Sequence, residues 1–147
     1  MRSGLDKAAE AIGRSVGGLS TKIHAKVDSF GQLVSILLTP GQVHESQIAH
    51  EMFGGEECTF FLADRAYDID HFRQTLLDKG VTPVIPGKKN RLKPVLHDAH
   101  IYKERNIVER FFQKVKRYRR IATRYDKTAR MYLTGVMVVS ILLALKL

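Results

Sequence analysis

The stretch YKERNIVERFFQKVKRYRR, residues 102–120, combines eight Lys or Arg residues with two acidic ones, Glu104 and Glu109. On a helix that turns about 100° per residue, four of its residues fall on one narrow stripe: Tyr102, Arg105, Glu109 and Lys116. The opposite face is apolar, and we expect its residues to be buried: Ile107, Phe111, Val115, Tyr118 and Ala122. The pattern therefore predicts a carboxylate among cations on a face that points away from the core.

An acidic residue at the centre of a phosphate-binding surface is unfavourable unless a cation lies beside it. Hard divalent cations such as Mg²⁺ bind carboxylate and phosphate oxygens together, and two ions about 3.5–4 Å apart stabilise the attacking and leaving oxygens of a phosphodiester. Glu109 is therefore a candidate metal ligand among cations that hold a nucleic-acid backbone. The alternative is a solvated helix face on which Arg105 and Glu109 form an i, i+4 ion pair.

A second carboxylate, Asp64, directly follows the apolar run CTFFLA, residues 58–63. Ligands of open α/β sheets bind at the carboxyl ends of strands, so this position suits a metal-binding acid. The alternative is a structural role as the N-cap of the segment that follows. The position of Asp64 in the sequence leaves both interpretations open.

The elements that must position these residues alternate between strands and helices. After an irregular arm over residues 1–19, we expect a hairpin from Ser20 to Pro40 and a helix in HESQIAHEMF. A strand covered on both faces should follow in CTFFLA, then a helix in HFRQTLLDKG and an edge strand in VTPVIP. The basic loop PGKKNRLKP leads to two helices, over about residues 102–120 and 128–147. Leu76 and Leu77 should face inward, and Gly80 should cap its helix. Strands joined by helices imply an α/β fold, a mixed sheet flanked by helices.

The composition favours a folded domain with an anionic partner. The chain has 147 residues, of which 44% are hydrophobic, and a net charge of +9, which favours nucleic acid. The single cysteine, Cys58, excludes a disulfide framework and a cysteine-based zinc site within the chain, and it fits a reducing cytoplasm.

The apolar C-terminal run MYLTGVMVVSILLALKL raises the question of a membrane-spanning helix. About 15 residues precede Lys146, short of the roughly 20 that span a bilayer. We therefore expect no membrane partner and a packing helix whose apolar residues are largely buried: Leu133, Val136, Val139, Leu142 and Leu143.

The spacing Y-x2-R-x3-E-x6-K of the stripe at residues 102–116 resembles the signature of bacterial insertion-sequence DDE transposases. Five segments resemble, in order, the catalytic domain of the insertion-sequence-five group: GRSVGGLSTKIHAKVD, LTPGQVHES, ADRAYD, PVIPGKKNR and ERNIVERFFQKVKRYRRIATRYDKTARMYL. The resemblance covers nearly the whole chain from Gly13 onward.

The resemblance implies an RNase H-like catalytic domain over residues 20–147 that cuts and joins DNA strands with two Mg²⁺ or Mn²⁺ ions. It implies that Asp64 and Glu109 are the second and third metal-binding acids, with their carboxylates facing each other across a cleft. Tyr102, Arg105 and Lys116 match family positions that hold DNA phosphates near the cut. The basic helix and loop add further DNA-binding candidates: Arg120, Lys88, Lys89 and Arg91. The expected partner is double-stranded DNA at transposon ends, in the bacterial cytoplasm at the nucleoid.

In the family, the first aspartate lies on a central strand upstream of the GRSVGGLSTKIH segment, and neither Asp6 nor Asp28 matches it. We therefore expect a partial catalytic domain without its first strand. Such a chain should bind Mg²⁺ weakly, transfer no strands alone, and work with an upstream transposase segment or an intact transposase. Two rival hypotheses are a non-catalytic DNA-binding or regulatory fragment, whose salt-sensitive affinity needs no metal, and an RNase H-like nuclease.

Overall fold

The computed structural model describes residues 10–146, with only the backbone described for Ser15. Its elements are a mixture of strands and helices, as an α/β chain requires. They divide into two compact units. The first unit holds the described residues up to Val43 together with those from Ile107, and the second holds His44–Asn106.

The first unit contains a three-stranded antiparallel sheet of β1 (Gly13–Ser15), β2 (Gly18–Val27) and β3 (Leu33–Pro40), in that order. The predicted hairpin is confirmed. The Asp28 carboxylate closes its turn because Oδ1 accepts the backbone N–H groups of Phe30 and Gln32, each at 2.9 Å.

The amino-terminal arm is more ordered than we predicted where the structure describes it. We expected irregular structure up to residue 19, but Gly13 pairs with Ser20 and Arg14 with Leu19. The glycines that suggested irregularity instead permit a tight turn, since Gly18 has φ 103°. Residues 1–9 of the predicted arm lie outside the described residues.

The predicted single helix over residues 102–120 is divided among four helical segments. Its residues belong to α3 (Ala99–Tyr102), a 3₁₀ helix (Lys103–Arg105), α4 (Asn106–Val115) and α5 (Arg119–Ala122). The α-helix ends at Val115, and Tyr118 takes an extended conformation as the N-cap of α5.

This break changes the predicted core face. Phe111 and Val115 are buried as expected and Ile107 is half-buried, but Tyr118 is 37% exposed and Ala122 is also exposed. The break places Ile121 in the core instead, where its carbonyl accepts the Tyr132 hydroxyl at 2.7 Å. Packing against α6 (Ala129–Ala144) thus outweighs continuation of the helix.

Helix α6 is only partly buried. Val136 and Val139 lie in the core as predicted, whereas the three predicted leucines are half-buried: Leu133, Leu142 and Leu143. Its core side packs with Phe111 and Val115, and apolar residues of β2 and β3 contact the same cluster. Within residues 10–146, no helix has both the length and the apolar character that crossing a membrane requires.

The second unit contains a parallel strand pair joined through a helix. It comprises α1 (Glu45–Phe53), β4 (Phe60–Leu62), a 3₁₀ helix (Arg65–Tyr67), α2 (Asp70–Asp78) and β5 (Thr82–Val84), and Leu62 pairs with Val84. As predicted, Gly80 terminates helix α2: it lies two residues beyond Asp78 in the left-handed conformation, with φ 73°. The N–H groups of Gly80 and Val81 donate to Leu77 O and Leu76 O, each at 2.9 Å, which satisfies the last carbonyls of α2.

Two expectations about the sheet need correction. The described strands form a three-stranded sheet and a separate two-stranded sheet, not one mixed sheet. The run CTFFLA is not covered on both faces either, since Cys58 is exposed and Phe60 is 42% exposed. In the described part of the chain β4 pairs only with β5, so one strand edge of this apolar run lacks a neighbouring strand.

Helix α2 offers a matched test of burial. Leu76 is 0% exposed but Leu77 is 53% exposed, so our expectation that both face inward is wrong for Leu77. We expect Leu76→Ala to lower the free energy of unfolding by about 2–5 kcal/mol and Leu77→Ala by less than about 0.5 kcal/mol, as measured by urea denaturation. Equal costs at the two positions would contradict this packing.

Candidate active site and DNA-contacting surface

Asp64 lies two residues beyond the last residue of β4 and is half-buried. Its Oδ1 accepts the backbone N–H of Ala66 at 2.9 Å, so it caps the 3₁₀ helix Arg65–Tyr67. The structural alternative that the sequence left open is therefore realised. An ionised carboxylate has about four lone-pair positions, so one capping bond leaves room for a further ligand role.

Tyr67 ends the same 3₁₀ helix and is sensitive to the charge of Asp64. Burial raises the pKa of the Tyr67 hydroxyl far above its ordinary value of 10.0, and the negative charges of Asp64 and Glu45 raise it further. The phenol beside Asp64 therefore keeps its proton well above neutral pH.

Asp68 lies at the other end of this 3₁₀ helix and accepts three hydrogen bonds from other segments of the second unit. Its side chain is fully buried. Oδ1 accepts Arg73 Nε at 2.7 Å and Arg91 Nη1 at 3.0 Å, while Oδ2 accepts the backbone N–H of Lys88 at 2.7 Å. We call these four residues the Asp68 network.

The charge of Asp68 is retained in spite of burial. Burial by itself raises the pKa of Asp68, but the hydrogen bonds from the Lys88 amide and Arg73, with the charges of Arg73 and Arg91, outweigh it. The net pKa therefore lies below the ordinary value of 3.8, and the carboxylate is ionised at neutral pH.

The basic loop PGKKNRLKP, residues 86–94, follows β5 and contains three of the predicted DNA-binding residues. Arg91 is not oriented as a free cation. Its guanidinium contacts Asp68 and Asp70, Nε donates to Lys93 O at 2.9 Å, and its side chain is only 17% exposed. The direct phosphate contact that we predicted for Arg91 therefore gains no support from its surroundings.

Lys88 and Lys89 differ from Arg91. Lys89 is exposed and Lys88 is half-buried, and within residues 10–146 neither ammonium group forms an ion pair. Together with Lys93, these two side chains are the cations of the basic loop whose charge no ion pair balances inside the described chain.

Tyr102 and Arg105 are brought together as the stripe predicted. The Arg105 guanidinium lies 5.8 Å from the centroid of the Tyr102 ring, and the His97 ring packs edge-on against that ring with centroids 5.3 Å apart. A guanidinium over an aromatic face is partly preorganised, so these two residues form one surface feature of the second unit.

In the first unit, Glu109 is exposed on α4, so the expectation that it points away from the core is confirmed. Lys116 follows the end of α4, and its ammonium lies 5.9 Å from the centroid of the Phe112 ring.

Arg120 pairs with Asp126, with Nη2 2.6 Å from Oδ1 and Nε 3.3 Å from Oδ2. Through this pair the pKa of Asp126 falls and the pKa of Arg120 rises. The charge of this predicted DNA-binding residue is thus already balanced, although its side chain stays largely exposed.

A basic cavity of about 530 Å³ in the first unit was not predicted. Its lining residues come from α4, the turn after it and the end of α6: Lys114, Arg117, Tyr118, Leu143 and Lys146. Lys114 and Arg117 belong to the basic run at residues 102–120, but they lie off the stripe of Glu109. Lys146 joins them only through the packing of α6.

The described residues do not form a complete metal site. Carboxylate oxygens suit Mg²⁺ and Mn²⁺, yet no group of three or more His, Cys, Asp or Glu residues that could hold a metal ion occurs in residues 10–146. Asp64 belongs to the second unit and Glu109 to the first, and their expected approach across a cleft stays a prediction.

The Asp68 network predicts a specific pH dependence. The pKa of Asp68 is lower in the folded chain than in the unfolded chain. As the pH falls, the unfolded chain therefore binds a proton at Asp68 first, and the stabilisation that Asp68 contributes above about pH 4 is lost at lower pH. Below about pH 4, the free energy of unfolding of Asp68→Asn should therefore change less steeply with pH than that of the wild type. The two slopes should differ by at most about 1.4 kcal/mol per pH unit. The control is Asp78→Asn, whose parent side chain is exposed and lies outside the network. Identical acid limbs of the unfolding curves for wild type and Asp68→Asn would contradict the network.

Comparison with known proteins identifies the family. A family model described as "Transposase DDE domain" matches residues 6–144. A Brucella ovis protein named "Putative transposase for insertion sequence element IS6501" is 38% identical over 112 residues, which cover 75% of this chain and 86% of that protein. A Burkholderia cepacia protein named "Putative transposase for insertion sequence element IS402" is 33% identical over 67 residues, 46% of this chain and 29% of that protein. No solved structure gives a significant match.

The family match includes both carboxylates that the sequence singled out, Asp64 and Glu109, and nearly all of the described residues. The Brucella relative is similar over most of its own length, so the resemblance is not confined to one motif. The group within the family stays a prediction. The chain belongs to the DDE transposases of bacterial insertion sequences.

Proposed function

We propose that this chain acts in DNA transposition as the part of a DDE transposase that supplies the second and third metal-binding acids, Asp64 and Glu109. The family match over residues 6–144 is the observation that carries this proposal. Transposases of this family bind transposon ends and typically use a divalent metal. The assignment of these two acids is ours.

The strand arrangement supports an RNase H-like fold with one strand supplied from outside these residues. The described strands form an antiparallel group, β1–β3, and a parallel pair, β4 and β5. Antiparallel and parallel pairings of this kind both occur in a mixed sheet. The side of β4 that faces no other described strand is a suitable edge for an added one, because an open edge presents backbone N–H and C=O groups for pairing.

We propose Mg²⁺ or Mn²⁺ as the cofactor, with two ions in the complete site. Asp64 and Glu109 have the right donor chemistry, but two acids are too few for the site, and the described residues hold no group of three possible ligands. We therefore assign no chemical step to this chain alone. The expected partner is the upstream transposase segment or an intact transposase.

The cations of the chain hold DNA in this proposal. Lys88 and Lys89 leave the same edge of the parallel pair as Asp64, since the carboxyl ends of parallel strands lie side by side. Tyr102 and Arg105 form one surface feature, and Lys116 adds a cation beyond α4. Arg91 and Arg120 are balanced by carboxylates, so we expect smaller contributions from them.

A second candidate is a regulatory fragment that binds DNA without catalysis. The basic residues and the Tyr102–Arg105 pair would serve it equally well, because DNA binding by itself needs no metal. The two candidates separate when the missing segment is provided, because a regulatory fragment would not become active.

DNA binding should depend on the cations of the stripe. We expect the double variant Arg105→Ala/Lys116→Ala to flatten the dependence of log affinity on log salt by about 0.9 for each phosphate that the protein no longer neutralises. The measurement is fluorescence anisotropy with duplex DNA at several salt concentrations. Arg120→Ala changes the charge by one unit at a residue paired with Asp126, and its slope should change less. An unaltered slope in the double variant would exclude Arg105 and Lys116 as residues that bind DNA.

Catalysis should require both acids once the site is complete. When the upstream transposase segment is added, fused or in trans, we expect metal-dependent cleavage and strand transfer at transposon ends, and none from the chain alone. Asp64→Asn and Glu109→Ala should each abolish both reactions but leave DNA affinity nearly unchanged. Asp78→Asn is the control, because Asp78 is exposed and contacts only Gln74 in its own helix among the hydrogen bonds of the described chain. Normal cleavage by Glu109→Ala would refute its role as a metal ligand.

A further inference from the structure

The Asp68 network joins the two segments that leave the carboxyl edge of the parallel strand pair. The 3₁₀ helix that follows β4 is capped by Asp64 at its start and by Asp68 at its end. The basic loop, residues 86–94, follows β5. Asp68 receives donors both from α2, through Arg73, and from this loop, through the Lys88 amide and Arg91.

The backbone between the two acids is held in a defined shape. Tyr67 N donates to Asp64 O at 3.1 Å, and Asp68 N donates to Arg65 O at 3.2 Å. Asp64 and Asp68 are therefore fixed with respect to each other by one short turn. A contact that fixes the basic loop to Asp68 fixes it with respect to Asp64 as well.

The loop is fixed through both its backbone and a side chain. The Lys88 amide donates to Oδ2 of Asp68, and Arg91 N donates to Lys88 O at 3.1 Å, which closes a turn. Arg91 then reaches back to Asp68 and Asp70. Gly87 allows this close path, because a Cβ there would lie 3.1 Å from Val95 Cγ2. The Lys88 and Lys89 side chains thus leave from a backbone that Asp68 holds in place.

We propose that Asp68 is a positioning residue for DNA: it holds the basic loop beside the turn of Asp64, so that Lys88 and Lys89 bind a backbone phosphate next to that acid. This inference rests on the proposed function. It gives the second aspartate of ADRAYD a role distinct from the first, since Asp68 is buried and touches no DNA itself.

Asp68→Asn tests the contact at nearly constant volume. The asparagine oxygen can still accept from the arginines, but its amide group is a donor and cannot accept the Lys88 N–H. Amide hydrogen exchange at Lys88 should therefore become about tenfold faster or more, as expected when a charge-assisted hydrogen bond is removed, while Leu76 in α2 stays protected. Unchanged exchange at Lys88 would overturn the proposed contact.

Measurements of DNA affinity distinguish a positioning role of Asp68 from the effect of its negative charge alone. Asp68→Asn and its control Asp78→Asn, at an exposed residue of α2 that forms its hydrogen bond with Gln74 and not with the basic loop, each remove one negative charge. Non-specific electrostatics therefore predicts equal or tighter binding for both. Positioning predicts weaker binding of a short duplex for Asp68→Asn alone, with a salt slope reduced by about 0.9 for each phosphate released. A merely structural role would lower the unfolding temperature but leave the slope unaltered well below it. Equal behaviour of the two variants would overturn the proposal.

The effect of Asp68 on DNA binding should depend on Lys88 and Lys89. In the background Lys88→Gln/Lys89→Gln, Asp68→Asn should cause no further change in the salt slope. A full additional decrease in that background would show that Asp68 acts elsewhere. If Asp68→Asn does not fold, Arg91→Lys keeps every charge but replaces the guanidinium fork; it should show the same faster exchange at Lys88 and the same weaker DNA binding.

The same experiments distinguish a failure of the proposed function from a failure of the positioning role of Asp68. A wild-type chain without salt-dependent DNA affinity would refute DNA binding as a whole, and with it the phosphate role of Lys88 and Lys89. Exchange at Lys88 in the same variants would still decide whether Asp68 holds the basic loop.

Discussion

The buried carboxylate of Asp68 is the constraint on which the second unit depends. Removing an ionised carboxylate from water costs several kcal/mol unless charged and hydrogen-bonding partners replace the water. Here the partners come from α2 and from the segment after β5, and Arg73 also donates to Ile85 O at 2.6 Å. One buried charge therefore holds together the strand pair, its crossover helix and the basic loop. The charge in turn stays buried only because these segments supply its partners.

Arg124 has a comparable role in the first unit. Its Nη1 donates to Glu10 O at 2.8 Å and to Thr21 Oγ1 at 2.5 Å, and its guanidinium carbon lies 5.3 Å from the centroid of the Tyr132 ring. It thereby joins the amino-terminal segment and β2 to α6. The segment RIATRYDK has the composition of one more basic patch, yet Arg120 and Arg124 within it are used for internal contacts.

The distinction between balanced and unbalanced cations matters for function. Phosphate binding by an arginine that already pairs with a carboxylate must offset the loss of that pair, whereas a lysine without such a pair releases counterions from DNA at no such cost. Arg91 and Arg120 are of the first kind, and within the described chain Lys88 and Lys89 are of the second. The DNA-binding surface that we propose is therefore narrower than the net charge of +9 suggests. The cap that Asp64 forms is compatible with the metal role that we propose for it, because a cap uses one lone-pair position of a carboxylate and a metal would use another.

The sequence by itself determined the local features of this protein, namely the β2–β3 hairpin, helices α1 and α2, the cap at Gly80, the exposed position of Glu109 and the transposase family. Alternation, helical periodicity and glycine turns are short-range signals, so they can be interpreted without knowing what lies opposite. Only the tertiary structure decided that the helix after Asn106 ends at Val115, that Leu77 faces solvent, and that Arg91 pairs with acids about twenty positions away. The reason is physical: burial of Ile121 and of the Asp68 carboxylate depends on partners that are distant in sequence, and periodicity along one segment carries no information about them.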